Sequence, residues 1–375
     1  MKIDRSTTTS SQIDWNSDTI LYKSLSFSIS DFRAFIHGLT SSTRATLFGD
    51  ILFENRVSTR DSPIRNIPNI PWKRIFDNPL DSTPFSNFLL DPRTQLGLDS
   101  PEKWLFNRIA TSPDLASRFS IPGPQLTWNS QKLSDWISNI QLFLEKLLIL
   151  AHIIGGQPPR APELASIRYS NSTTTGVRNI FVESGFVYFV TYYHKGYTIQ
   201  GSTKIIHRFL PREIGELLVY YLWLVVPFLA RISFDVFRKP LTEYLFENLA
   251  RRTRSKASKI QSDRFRTVFR RETLAGLGLS INPSEYRYIT IGISRRFLSK
   301  PYHFQPEDIG EIGDENDPDY EDEVLDLQAG HSTHVAGLTY ARGLLEPSGE
   351  IQSLKLRFRE ASLVCYLLGL YLSLL

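Results

Sequence analysis

Arginine, lysine, histidine and tyrosine stand in a few short motifs that lie far apart in the sequence. One arginine opens a short predicted helix and is followed three residues later by Glu163, and a second lies in a later predicted helix. Arginine suits contacts with two oxygens of a phosphate at once, because its guanidinium presents several N–H donors in a planar fork. A lysine occupies a glycine-containing turn, and a histidine precedes a tyrosine by nine residues. The candidate catalytic residues are Arg160, Lys195, Arg287, His331 and Tyr340.

The charges are segregated along the chain. Nine basic residues lie between Arg251 and Arg271 with one acid, Asp263, among them, whereas residues 307–326 contain eleven acids and no base. An acid-poor basic run favours contact with nucleic-acid phosphates, although a solvated face is the ordinary alternative. The acidic run predicts a solvated loop. The candidate DNA-binding residues are Arg251, Arg252, Arg254, Lys256 and Lys259.

Other familiar chemistries are missing from the sequence. It contains no GxxxxGK[ST] phosphate loop, no HExxH and no G-x-S-x-G motif. A single cysteine, Cys365, excludes an intramolecular disulfide framework and any multi-cysteine metal site, and favours a reducing compartment. His331 and His334 are three residues apart, but no acid or cysteine stands near them at ligand spacing. The sequence therefore predicts no cofactor.

Composition indicates a folded chain outside the membrane. The 375 residues carry a net charge of +4, and 41% of them are hydrophobic, which allows two or three domains and a sizeable core. The N-terminus has no apolar stretch after its charges, so we expect no secretory signal. Leu217 to Ala230 and Leu363 to Leu375 are apolar but shorter than the roughly 20 residues of a spanning helix. We interpret Leu217 to Ala230 as a buried core helix.

Hydrophobic periodicity predicts several helices in the first part of the chain. Residues 1–28 are rich in Ser and Thr, which predicts a flexible N-terminus, and a helix follows from Ile29 with Ser30 as its N-cap. Six prolines make residues 58–100 irregular, and another helix begins near Pro101. The longest apolar stripe predicts a helix over Ser130 to Ile154, ended by two glycines.

From Asn179 the spacing of hydrophobic residues changes from that of helices to that of strands. Asn179 to Tyr193 predicts a hairpin with its turn at Ser184-Gly185, and Lys204 to Leu210 predicts a third strand. Helices resume from Pro211. The sequence therefore predicts an α+β fold, mostly helical, with a small antiparallel three-stranded sheet. The predicted parts are a helical domain over 29–150, a second domain over 151–345 that includes the acidic loop 307–326, and a tail over 346–375.

Four motifs in this order resemble the tyrosine recombinases. GGQPPRAPELASIRYSN contains Arg160, YHKGY contains Lys195, SEYRYITIGIS contains Arg287, and QAGHSTHVAGLTYA contains His331 and Tyr340. Together with IIHRFLPREIGELLVYYLWLVVPF, these resemble the crypton-like recombinase region found upstream of RecQ-type helicase domains in fungal telomere-associated proteins. The resemblance spans about residues 30 to 345.

The resemblance implies a helical core-binding region that clamps DNA and a catalytic domain that cleaves and rejoins a strand. Tyr340 would attack a backbone phosphate, Arg160 and Arg287 would clamp it, Lys195 would protonate the leaving oxygen, and His331 would support the phosphate. The phosphotyrosine keeps the bond energy, so neither ATP nor metal is needed. The same resemblance implies that the partner is double-stranded DNA, that the protein assembles on it as a homo-oligomer, and that its location is nuclear.

The sequence also departs from the family. Members carry His or Lys three residues before the second arginine, where this chain has Ser284, and serine is no base near neutral pH. Arg160 and Arg287 are 127 residues apart, and Arg287 and His331 are 44 apart, both long for the family. Ser284 favours a first alternative, an inactive DNA-binding module that once delivered a helicase.

Structural alternatives remain for each candidate residue. Arg160 could form a surface ion pair with Glu163, Lys195 could be a solvated turn residue with Lys204 in its role, and Arg287 could face solvent like Arg295 and Arg296. His331 could cap a helix, and Tyr340 could be a packed aromatic. A second functional alternative is a protein-interaction scaffold that uses the Leu217–Phe228 helix and the acidic loop.

Overall fold

The computed structural model of the chain describes residues 13–54, 67–98, 100–121, 127–173, 176–193, 204–249, 260–297 and 355–363. These residues form a mixed α+β fold, as the sequence predicted, with helices around small antiparallel sheets. Two of the sheets have three strands and one has two.

The N-terminal residues form a sheet where the sequence predicted a flexible segment. Strands β1 (Asp14–Asn16), β2 (Thr19–Tyr22) and β3 (Leu25–Ser28) pair antiparallel in that order. Ile20 and Phe27 face each other across β2 and β3, and both are buried in the main core. Over residues 14–28 the Ser/Thr-rich composition concealed these buried side chains, and residues 1–12 of the predicted flexible segment lie outside the described residues.

Helix α1 (Ile29–Ala45) begins at a different cap from the predicted Ser30. Ser28 is the N-cap, because its Oγ accepts from the backbone N of Asp31 at 3.0 Å. The Asp31 carboxylate in turn accepts from the backbone N of Ser28 at 3.2 Å, which completes a capping box. Ser28 rather than Ser30 is the N-cap because Asp31, the acid that completes the capping box, stands three residues after Ser28.

The C-terminal end of this helix is capped by side chains from later in the chain. A π-helix, Thr46–Ile51, continues α1. The Arg108 guanidinium, fully buried, donates from Nε to the carbonyl oxygen of Leu52 at 2.7 Å, and Trp136 Nε1 donates to that of Ile51 at 3.2 Å. A cation at a helix C-terminus is favourable because the free carbonyls are partially negative there.

Helix α4 (Ser130–Ile154) is the central helix and has the predicted bounds. Gly155 caps it, as the sequence indicated. The predicted domain boundary at 150/151 falls inside this helix, and one hydrophobic cluster runs through both predicted domains, from Ile20 to Ile293. The apolar stripe continues past this boundary to the end of α4. Before α4 come α2 (Pro101–Thr111), α3 (Pro113–Phe119), β4 (Ser120–Ile121) and β5 (Thr127–Trp128).

The predicted hairpin and third strand are confirmed. After the short helix α5 (Ala161–Ala165), β6 (Ile180–Glu183), β7 (Phe186–Tyr193) and β8 (Lys204–Phe209) form an antiparallel sheet in that order. The turn residues Ser184 and Gly185 both have positive φ, 50° and 76°, as a tight hairpin turn requires.

The apolar stretch after Pro211 forms α6 (Arg212–Tyr220), a π-helix (Tyr221–Val225) and α7 (Val226–Asp235). By length and hydropathy, the combined Arg212–Asp235 helix and α4 could each cross a membrane, but 72% of the most apolar window of each is buried inside the structure. The predicted core helix is therefore confirmed. Most side chains of Leu217–Phe228, the segment that the scaffold alternative uses, are buried in this core.

Two further helices and one C-terminal helix complete the described fold. Helix α8 (Ser262–Leu277) packs against α1 and α4, and α9 (Pro283–Phe297) follows it. Residues 355–363 form α10 on the second face of the β6–β8 sheet. There Lys355 Nζ lies 2.8 Å from the Glu183 carboxylate, and Ser362 Oγ accepts from the backbone N of Phe209 at 3.3 Å.

Candidate functional site

A buried segment carries Arg160 from the end of α4 to the start of α5. Residues 155–159 are all buried, and Arg160, which follows them, is half-buried. The backbone N of Glu163 donates to the carbonyl oxygen of Arg160 at 3.0 Å, and the backbone N of Arg160 lies 3.4 Å from Glu163 Oε2. Glu163 therefore fixes the backbone from which the Arg160 side chain extends.

Helix α9 brings Arg287 to the same end of α4. Tyr286 Oη donates to the carbonyl oxygen of Ile153 at 3.3 Å. Further along α9, Ser294 Oγ accepts from Nε2 of Gln157. These two contacts hold α9 along the last turn of α4 and the buried segment, so that Arg287 lies between them.

Three arginines act electrostatically on one carboxylate. Burial raises the pKa of Glu163 above its ordinary value, while the guanidiniums of Arg208, Arg160 and Arg287 lower it. Three cations around one partly buried carboxylate leave an excess of positive charge. Arg160 and Arg287, two of the five candidate catalytic residues, lie on elements that meet at the end of α4, where Arg208 also contacts the buried segment.

Arg208 was not among the predicted functional residues. It lies in β8, is 1% exposed, and donates from Nε to Thr191 Oγ1 at 3.2 Å and from Nη1 to the carbonyl oxygen of Gln157. The available sequence signal was an arginine close to Ile206 and Phe209 in a predicted strand, since a charged side chain seldom lies in a core without partners. The tertiary partners themselves could not be read from the sequence.

His152 lies in the last turn of α4. The ring of this residue of α4 contacts those of Phe265 and Phe269, with centroids 4.9 and 5.4 Å away. Burial, with a contribution from the positive charges of Arg208 and Arg287, lowers the pKa of His152 to about 3. The imidazole is therefore neutral at neutral pH.

The remaining candidate catalytic residues, Lys195, His331 and Tyr340, lie outside the described residues, as do Arg251, Arg252, Arg254, Lys256 and Lys259. Lys204, the alternative to Lys195, begins β8 and is paired in register with Tyr193. Arg296 packs on the Trp15 ring, 4.2 Å from its centroid, and donates to the carbonyl oxygen of Ser17. Arg296 is thus occupied by the N-terminal sheet rather than by the arginine cluster.

In the described part of the predicted basic run, two arginines pair with a buried acid. Arg264 and Arg271, both in α8, hold the buried Glu145 carboxylate at 2.6 and 3.0 Å. The two described residues that flank 250–259 are anchored by hydrogen bonds. The backbone N of Leu249 donates to Gln141 Oε1 at 2.7 Å, and the backbone N of Ile260 donates to the carbonyl oxygen of Phe246 at 2.8 Å. The five candidate DNA-binding residues lie between these anchors.

Ser284 is the residue that the sequence resemblance aligned with the base of the tyrosine recombinases. It is exposed in the first turn of α9, three residues before Arg287. Residues three apart lie on the same side of a helix, so the Ser284 side chain lies near that of Arg287. A hydroxyl at this position can donate a hydrogen bond but has no basic function near neutral pH.

No family model, curated protein or solved structure matches this chain. Within the described part of the chain, no three His, Cys, Asp or Glu side chains form a group that could hold a metal ion.

Proposed function

We propose that the protein binds double-stranded DNA and, like a tyrosine recombinase, cleaves and rejoins a strand through a phosphotyrosine. The observation that supports this proposal is that the contacts of α9 with Ile153 and Gln157 place Arg287 beside the segment that leads to Arg160, although the two arginines are 127 residues apart in sequence. Two arginines from different elements that reach one phosphate would provide the donors needed to bind its oxygens.

The proposed reaction uses the described arginines to stabilise charge. Tyr340 loses its phenolic proton to solvent, and its oxygen forms a bond to phosphorus while the bond to the 5′ oxygen breaks. Arg160 and Arg287 bind the oxygens of the phosphorane, whose developing charge they stabilise. Lys195 gives a proton to the leaving 5′ oxygen, and His331 donates a hydrogen bond to the phosphate. Reversal of these steps rejoins the strand.

Glu163 supports this arrangement rather than opposing it. Its carboxylate neutralises part of the repulsion among the three guanidiniums and lies at the Arg160 backbone. The cluster nevertheless keeps an excess of positive charge, which an incoming phosphate would balance. A nuclear location, a homo-oligomer on DNA, and either a helicase partner or a lost helicase domain belong to the same proposal.

The test is a covalent protein–DNA complex on a nicked suicide substrate, resolved on a denaturing gel with EDTA present. We expect a shifted band that is absent for Tyr340→Phe and strongly reduced for Arg287→Ala. The matched controls are Tyr288→Phe and Arg296→Ala, both in α9, and they should form the complex like the parent protein. A band that persists in Tyr340→Phe contradicts the assignment of the nucleophile.

The inactive DNA-binding module is the second candidate, favoured by Ser284. It would bind DNA with the same salt dependence but would form no covalent complex with any substrate. Absence of a complex from the parent protein, together with measurable DNA binding, would therefore favour this candidate.

Replacing Arg251, Arg252 and Arg254 by alanine should weaken DNA binding and flatten its salt dependence. The logarithm of affinity falls with that of salt at about −0.9 per phosphate contacted, so loss of three contacts should reduce the slope by about 3. Affinity is measured by fluorescence anisotropy between about 50 and 300 mM salt, a range that brackets the physiological ionic strength of roughly 150 mM. A triple alanine variant of Arg93, Arg212 and Arg231, which pair with acids elsewhere, is the control. An unchanged slope would show that the basic segment is only a solvated face.

A further inference from the structure

Gln157 connects three elements that carry the arginine cluster. Its side chain is 1% exposed and donates from Nε2 to Ser294 Oγ in α9, while its backbone carbonyl oxygen accepts from Arg208 Nη1 in β8. Three residues further along the chain is Arg160. One buried residue thus joins the α4–α5 connection, α9 and the sheet.

The partners of Gln157 stand in fixed relation to the arginines. Ser294 follows Arg287 by seven residues, which is about two turns of an α-helix, so the two lie on the same side of α9. Arg208 is held from its other side by Thr191 Oγ1, at 3.2 Å in β7. A displacement of Gln157 would therefore move Arg160 relative to Arg287.

Burying these polar groups does not contribute to stability as apolar packing would. Removing a guanidinium and an amide from water costs free energy, which hydrogen bonds only partly recover. Apolar side chains of similar volume could fill the same space. The polar groups do, however, define one geometry, because a hydrogen-bonded contact specifies distance and direction more narrowly than an apolar contact.

We propose that Gln157, Arg208 and Ser294 form a positioning unit that sets the separation and orientation of Arg160 and Arg287 on one phosphate. This inference rests on the proposed function. None of the three residues is a catalytic residue in this proposal, since they act through the two arginines. A small displacement of catalytic groups is enough to reduce a rate by about 10²-fold.

The experiment compares Gln157→Met and Ser294→Ala with a matched control. Thr290→Val, one turn before Ser294, also removes a buried hydroxyl, but that hydroxyl donates only to its own helix, at the Tyr286 carbonyl oxygen. Because Arg208 is buried, its replacement could unfold the protein, and Arg208→Lys, which keeps the charge, serves only as an additional variant.

Three quantities are measured on the full chain: the single-turnover rate of covalent complex formation, the dissociation constant for DNA, and the affinity for tungstate, a tetrahedral phosphate analogue, by calorimetry. We expect Gln157→Met and Ser294→Ala to lower the rate and tungstate affinity at least 10-fold, with DNA affinity within about 3-fold of the parent. The double variant should lose no more than either single variant, since both remove the same contact. Every variant should still unfold in one cooperative transition, although Ser294→Ala leaves the buried Gln157 amide without this partner and should unfold at a lower midpoint than Thr290→Val.

The outcomes separate this inference from the proposed function. Variants that react and bind tungstate like Thr290→Val overturn the positioning role, whatever the parent protein does. A parent protein that forms no covalent complex, but whose tungstate affinity falls in both variants, overturns the cleavage activity and leaves the positioning role supported. A parent protein that neither reacts nor binds tungstate overturns both.

Discussion

Replacing Asp77 by alanine should lower the free energy of unfolding by about 3–5 kcal/mol, because it leaves the charge of Arg178 buried without its partner. The two side chains are 2% and 1% exposed, and Arg178 Nη1 lies 3.1 Å from Asp77 Oδ2. Asp77 also accepts from the backbone N of Val182 at 2.8 Å, at the β6 strand. The pair therefore anchors the proline-containing segment 67–98 to the sheet.

Urea unfolding followed by circular dichroism measures this loss. The control is Asp235→Ala, which removes the acid of an exposed pair with Arg231, 47% and 56% exposed, and should cost no more than about 1 kcal/mol. Combining Asp77→Leu with Arg178→Met should recover much of the stability, because an apolar pair leaves no buried charge. Equal losses for Asp77→Ala and Asp235→Ala would show that the buried pair is not the anchor.

The stability of the protein should fall as pH decreases from about 6.5 towards 3, in part because of His152. The pKa of this histidine is about 3 in the folded protein against an ordinary value of 6.5. Between these values the unfolded chain binds a proton that the folded protein does not, so its contribution is fully present above pH 6.5. It is lost at up to about 1.4 kcal/mol per pH unit as pH falls through this window.

The physical cause is the surroundings of the imidazole. His152 is 1% exposed, and among the described residues neither ring nitrogen has a hydrogen-bond partner. The charged groups that face it are Arg208 from β8 and Arg287 from α9, while α8 presents aromatic rings. Arg287, which would bind the phosphate in the proposed function, therefore also opposes protonation of His152.

Unfolding free energies of the parent protein and of His152→Phe, measured between pH 4 and 8 in steps of about one unit, check this prediction. The phenylalanine variant should lose less stability than the parent protein as pH falls below 6.5. His37→Phe, at an exposed position of α1, is the control and should keep the pH dependence of the parent. Parallel pH curves for the parent protein and His152→Phe would contradict the assigned cause.

Local patterns in the sequence determined most of the individual elements. The apolar stripe and the following glycines defined α4 at Ser130–Ile154, and the aromatic, β-branched residues with Ser184-Gly185 between them defined the hairpin. These predictions hold because side-chain period and turn chemistry act over a few residues. The N-terminal sheet was missed because its buried residues, such as Ile20, are recognisable only against a core formed by later helices.

The arginine cluster depended on contacts that no local pattern contains. The resemblance selected Arg160 and Arg287, but Arg208 and Gln157 escaped prediction, and their contacts link residues 51 and 137 positions apart. A buried polar residue has no periodicity of its own, since its position is stable only when a distant partner satisfies its hydrogen bonds. The sequence therefore determined the helices and strands, and only their packing decided which charged groups act on one another.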